Sequence, residues 1–107
     1  MTERETTIAN LIGKSIKKHD PEADVILFGS RARGQAQPES DWDILILINK
    51  PKKDRSVENL YRNILFQLEL EIGEPISTLI YSKKDWENIY ISTPLYNNIK
   101  NEGITLA

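Results

Sequence analysis

The sequence predicts an α/β (α+β) fold, a small sheet flanked by helices, and three observations predict it. The continuous apolar runs Val25-Ile26-Leu27-Phe28 and Ile44-Leu45-Ile46-Leu47-Ile48 have the character of strands buried on both faces. Two long stretches, about 3–18 and 56–72, repeat apolar residues at helical spacing. Between these segments stand the breakers Asp20-Pro21, Asn49-Lys50-Pro51 and Gly73.

The first helix is carried by Ile8, Leu11, Ile12 and Ile16, with Lys14, Lys17 and Lys18 on its other face. His19, the one histidine, falls near the end of that helix, where a cation suits the dipole. A first strand over about 24–29 leads into a turn and short helical start at Ser30 to Gln35, and a polar loop containing Pro38 precedes a second strand at about 42–48. The charged run from Lys50 to Arg55 reads as a solvated loop. Leu60, Ile64, Leu68 and Ile72 give the second long helix, ended by Gly73. Pro75 opens a third strand at about 76–81, and Ser82 with Asp85 forms the start of a capping box for a third helix. Thr93 caps a short helix with Pro94 at its first position, Gly103 closes it, and Ile104 to Leu106 either add a terminal strand or dock.

At 107 residues the chain fits one domain, 1–107, large enough for a core but too small for separate catalytic and substrate-recognition domains. Lys and Arg number 14 against 16 Asp and Glu, a formal charge of -2, which argues against a strongly basic nucleic-acid platform. The absence of cysteine excludes disulfides, thiolate metal sites and a thiol nucleophile. The polar N-terminus and the lack of a long apolar run give the expectation of a soluble, cytoplasmic protein without a membrane span.

Chemistry concentrates in Gly29-Ser30-Arg31-Ala32-Arg33-Gly34 and, six residues on, Asp41-Trp42-Asp43. Side chains alternate along a strand, so Asp41 and Asp43 share one face while Trp42 turns to the core. Two carboxylates side by side repel one another, and a divalent cation with oxygen preference, Mg²⁺ above all, relieves that repulsion with substrate phosphates completing its shell. Gly29 allows a close backbone approach, Ser30 offers a hydroxyl and an N–H, and both suit a phosphate. Arg31 and Arg33 divide into one that meets phosphate and one that holds the loop. Gly34 supplies a turn, and Ser40 is placed to orient the carboxylates.

On these residues the chain resembles the polymerase-beta-like nucleotidyltransferases, and among them the minimal nucleotidyltransferase domains. Their signature, a strand, Gly-Ser, a basic or small stretch and a later Asp-x-Asp opening the next strand, stands here as Gly29-Ser30, Arg31, Arg33, Gly34 and Ser40-Asp41-Trp42-Asp43. The resemblance implies a mixed sheet flanked by helices, Mg²⁺ on Asp41 and Asp43, and transfer of a nucleoside monophosphate from an NTP, ATP foremost, to a hydroxyl with release of pyrophosphate. Active members carry a third carboxylate on a later strand; the equivalent strand here reads Ile76-Ser77-Thr78-Leu79-Ile80-Tyr81, with Ser77 at that position. Glu74 is the nearest acid, and beside Pro75 it reads as a solvated turn residue.

Minimal members resemble antitoxin-like partners of small helical proteins of the HEPN type, which they bind and in some cases modify with AMP. The resemblance therefore implies such a partner, or self-association, to complete the cleft, with Trp86, Tyr90, Leu95 and Tyr96 as contact residues if they are not core. Two readings follow: a Mg²⁺-dependent transferase, or a catalytically weak binding module on the same fold.

Overall fold

A computed structural model describes residues 1–51 and 54–107. The described elements run α1 (Glu3–His19), β1 (Asp24–Phe28), α2 (Gly29–Ala32), β2 (Trp42–Ile48), α3 (Arg55–Ile72), β3 (Ile76–Ser82), α4 (Lys83–Asn88), α5 (Pro94–Glu102) and β4 (Ile104–Thr105). The strands form one mixed sheet in the order β3-β2-β1-β4. Strand β1 is antiparallel to β2 and to β4, whereas β2 and β3 run parallel. A parallel neighbour needs a long crossover, and α3 supplies it between β2 and β3.

Alternation along β2 assigns the two faces. Ile44, Ile46 and Ile48 pack with Ile8, Ile12 and Ile16 of α1 and Tyr61, Leu65 and Leu68 of α3. Leu45 and Leu47 point the other way, to Trp86 of α4 and Tyr96 and Ile99 of α5. Both faces are thus covered, which is why β2 reads as an unbroken apolar run. The helices begin where their sequences signal it. Thr2 closes a capping box with Glu5, Asp54 accepts the Val57 N–H, Ser82 the Asp85 N–H and Thr93 the Tyr96 N–H. Gly73 ends α3 in the left-handed region at φ +72°.

Two local expectations shift. Gly29 opens α2 rather than ending β1, because its positive φ takes the chain out of the extended region. In the run from Lys50 to Arg55, Asp54 caps α3 and Arg55 begins it, while residues 52 and 53 lie outside the described residues. The last residues form a strand: Leu106 N–H donates to the Val25 carbonyl at 2.7 Å and Val25 N–H to the Ala107 carbonyl at 3.1 Å.

The C-terminal aromatic residues belong to the core. Trp86 and Tyr96 are buried, their ring centroids 5.2 Å apart, and Tyr81 and Tyr90 each stack on Trp86. Exposed apolar side chains lie elsewhere, at Phe66 and Leu70 on α3 and at Ile89 and Ile91 after α4. No helix among the described residues is long and apolar enough to cross a membrane.

Truncating Ile46, fully buried between the sheet and its long helices, is expected to cost about 3 kcal/mol as Ile46→Ala. Phe66→Ala, on the exposed side of α3, should change stability by no more than about 0.5 kcal/mol. Urea unfolding midpoints of the two variants check the layer assignment, and a reversed order would overturn it.

Candidate functional site

The pairing register gathers the chemistry at one end of the sheet. Phe28, the last residue of β1, pairs with Asp43, and Asp43 pairs in turn with Ser77. Paired residues share a face, and Asp41, two residues before Asp43, shares it by alternation. Three oxygen-bearing side chains, Asp41, Asp43 and Ser77, therefore stand together on the α4/α5 face, at the end away from the Leu45 and Leu47 core.

The two halves of the motif meet here. Gly29 has φ +76°, and a Cβ built on it would overlap the Asp43 Oδ2. Only glycine lets the turn pass so close to that carboxylate. Asp41 is exposed and Asp43 half-buried, so the pair lies on an open surface rather than in a closed cleft. Burial first, then the Asp41 charge, raise the Asp43 carboxyl above its ordinary value, and Arg33 pulls it back down.

The two arginines differ in burial and in partners. Arg31 is buried, stacked 4.7 Å from the centre of the Trp42 ring. Its Nε and Nη2 donate to the Ser40 carbonyl at 3.1 and 2.8 Å. Nη2 also meets Glu74 at 3.0 Å, and Nη1 meets Glu5 at 3.3 Å. Each of its nitrogens is committed to a protein oxygen, which corrects the expectation of Arg31 at a phosphate. Arg33 has a half-exposed side chain, bonded to Glu102 at 3.0 Å and to Gln35 at 3.1 Å.

Glu74 is not a solvated turn residue but part of the ion-pair network around the buried Arg31. Its carboxylate is held by Arg31 and, at 2.6 Å, by Arg4. Ser40 also differs from expectation: its hydroxyl accepts the Gln37 N–H at 2.8 Å and so shapes the loop instead of touching a carboxylate. The hydroxyl that does reach the pair is Ser77, whose Oγ donates to Asp41 Oδ2 at 2.8 Å. Gly34, at φ +73°, makes the turn that returns the loop. Sequence reasoning missed Glu5 as a partner of the site loop, since a contact across 26 residues leaves no local pattern.

Two carboxylates on one face, with a hydroxyl beside them, are a donor set suited to a hard divalent cation. Among the described residues no group of three or more His, Cys, Asp or Glu is placed to hold a metal ion. A cation held there would draw the rest of its shell from substrate oxygens and water.

The sequence places the fold in a family: residues 10–105 match the nucleotidyltransferase domain family, to which the chain belongs. A protein of Methanocaldococcus jannaschii named as a candidate protein adenylyltransferase is 34% identical over 80 residues, 75% of this chain and 74% of the relative. Two solved structures share the fold at 19% identity. One, a toxin-antitoxin with AMP-PNP, aligns at TM-score 0.65 over 99% of this chain and 73% of its own. The other, a mutant of the toxin-antitoxin MntA-HpeT with two aspartates changed to glutamate, aligns at TM-score 0.66 over 92% of this chain and 72% of its own.

Arg31→Met is expected to destabilise the fold by about 3 kcal/mol, because it strands Glu5, Glu74 and the Ser40 carbonyl, while Arg33→Met costs less than about 1 kcal/mol. Equal losses in urea unfolding would contradict the division of roles. A raised carboxyl pKa means that the folded chain holds the Asp43 proton more tightly than the unfolded chain. The resulting cost is present at neutral pH and vanishes as pH falls below the ordinary value of 3.8. In metal-free buffer Asp43→Asn should therefore raise the thermal midpoint at neutral pH, with the gain gone by about pH 3. An unchanged midpoint at neutral pH would refute that electrostatic account.

Proposed function

We propose that this chain is a Mg²⁺-dependent nucleotidyltransferase domain that binds an NTP and transfers its nucleoside monophosphate to a hydroxyl acceptor, including one carried by a partner protein. The observation that carries the proposal is the contact between the two motif halves, with Gly29 against the Asp43 carboxylate and Asp41 beside it. In this reading Asp41 and Asp43 hold the cation, Gly29 and Ser30 cradle phosphate oxygens, and Arg33 offsets their charge. Mg²⁺ when bound supplies charge stabilisation for the phosphates in the transition state. Arg31 and Ser40 act one step back: the guanidinium fixes the Ser40 carbonyl and with it the backbone that presents Asp41. Adenylyl from ATP is the favoured group, supported by the name of the archaeal relative.

A second reading is supported by the openness of the pair and by Ser77, a hydroxyl in register with Asp43 where the resemblance implies an acid in active members. Here the domain is a weak or inactive antitoxin-like module that binds a HEPN-type helical partner, in line with the toxin-antitoxin assemblies among its structural neighbours. Mixing the chain with its co-purifying partner, Mg²⁺ and each NTP separates the two. A nucleotide-sized mass gain supports transfer, and a stable complex without any gain supports the binding module.

Asp41→Asn combined with Asp43→Asn is expected to abolish Mg²⁺-dependent NTP binding in calorimetry while leaving the far-UV spectrum unchanged, since both residues lie at the open end of the sheet. Equal affinities in the double variant and the unmutated chain would remove the site assignment.

A further inference from the structure

We infer that Ser77 is a nucleotidyl acceptor, so that the chain modifies itself at its own site with one nucleoside monophosphate. The inference rests on the transferase reading above and names an acceptor for it. Nucleophilic hydroxyls are recognised by geometry: a hydroxyl within hydrogen-bond reach of a base, on a rigid element, with room for a reacting atom. Ser77 meets each condition. Its Oγ donates to Asp41 Oδ2 at 2.8 Å, it sits in a strand, and it is exposed.

Other hydroxyls bonded to a carboxylate lie away from the motif. Ser56 bonds Asp54 at 2.7 Å, but at the start of α3, beyond the opposite end of β2. Tyr61 bonds Asp20 at 2.9 Å within the α1/α3 layer, and Tyr96 bonds Glu87 at 2.7 Å within the α4/α5 layer; both side chains are buried. Within the motif, the Ser40 hydroxyl is occupied by the Gln37 N–H. Ser77 alone of these joins an exposed hydroxyl to a carboxylate of the pair, and shares a face with Asp43 by direct register.

The step balances. The Ser77 oxygen forms a bond to the α-phosphorus of the nucleoside triphosphate, the bond from that phosphorus to the bridging oxygen breaks, and pyrophosphate leaves. The hydroxyl proton is released to water, and the hydrogen bond to Asp41 Oδ2 orients the Ser77 oxygen for attack. The products are a serine-linked phosphodiester, pyrophosphate and a proton, with no change of oxidation state. Because acceptor and site belong to one chain, the reaction is unimolecular once nucleotide is bound, the situation in which positioning contributes most. It is also self-limiting: the attached nucleotide covers Asp41 and Asp43, and the accepting hydroxyl is consumed.

The test uses the full chain with Mg²⁺ and each of ATP, GTP, CTP and UTP, followed by intact mass and peptide mapping, alongside calorimetry with Mg²⁺ and AMP-PNP. The expected result is a gain of one nucleoside monophosphate per chain, mapped to Ser77, at a rate constant unchanged over about tenfold in protein concentration. Ser77→Ala should lose at least about 90% of the label. Nucleotide binding without a gain, a gain mapped to another residue, or a gain retained in Ser77→Ala overturns the acceptor assignment and leaves the transferase reading standing. Failure to bind nucleotide with metal overturns the transferase reading, and the acceptor assignment with it.

Discussion

Two carboxylates held side by side at the open end of a sheet are the constraint around which this structure is organised. Burial, and after it the Asp41 charge, raise the proton affinity of Asp43, so the arrangement carries a standing electrostatic cost. Three local features keep it in place. Gly29 brings the β1–α2 turn against Asp43 where any side chain would collide. The Arg31 guanidinium pins the Ser40 carbonyl just ahead of Asp41. Ser77 donates a hydrogen bond to the Asp41 carboxylate. A fold that gained nothing from the pair would relieve its repulsion with one neutral substitution.

The position of the pair follows from how unequally the faces of the sheet are covered. Helices α1 and α3, of 17 and 18 residues, span the Trp42, Ile44, Ile46 and Ile48 face. The short helices α4 and α5 reach Leu45 and Leu47 and leave Asp43 and Ser77 beyond their cover. The buried Arg31 network sits behind the pair, tying the first turn of α1 through Glu5 and the start of β3 through Glu74 into one support. Burying a guanidinium is costly, and two carboxylates, a carbonyl and an aromatic face around it offset that cost.

Much of this was legible in the sequence because it is local. Uninterrupted apolar runs mark β1 and β2, each covered on both faces, and Thr93-Pro94 and Gly73 mark helix ends through backbone preferences that act within a few residues. The shared face of Asp41 and Asp43 follows from alternation alone. What could not be read were the partners across the fold. Which arginine turns inward depends on Glu5 and Glu74, 26 and 43 residues away, and neither contact leaves a spacing signal. The bond from Ser77 to Asp41 joins residues 36 apart through the β2/β3 register, so a strand sequence could suggest its face but not its partner. The aromatic C-terminal segment was ambiguous for the same reason, and the packing of Trp86 against Tyr81 and Tyr96 places it in the core.

The central claim is that the glycine turn and the acid pair form one cation-and-nucleotide site, and paramagnetic broadening by Mn²⁺ tests it directly. Amide spectra of the isotope-labelled chain, titrated with Mn²⁺ in the presence of AMP-PNP, report which backbone positions lie near the ion. The account predicts broadening centred on Gly29, Ser30, Asp41 to Asp43 and Ser77, strengthened by the nucleotide. Broadening centred instead on other acidic positions, such as Glu22 and Asp24 at the far end of β1, or spread without focus, would contradict it.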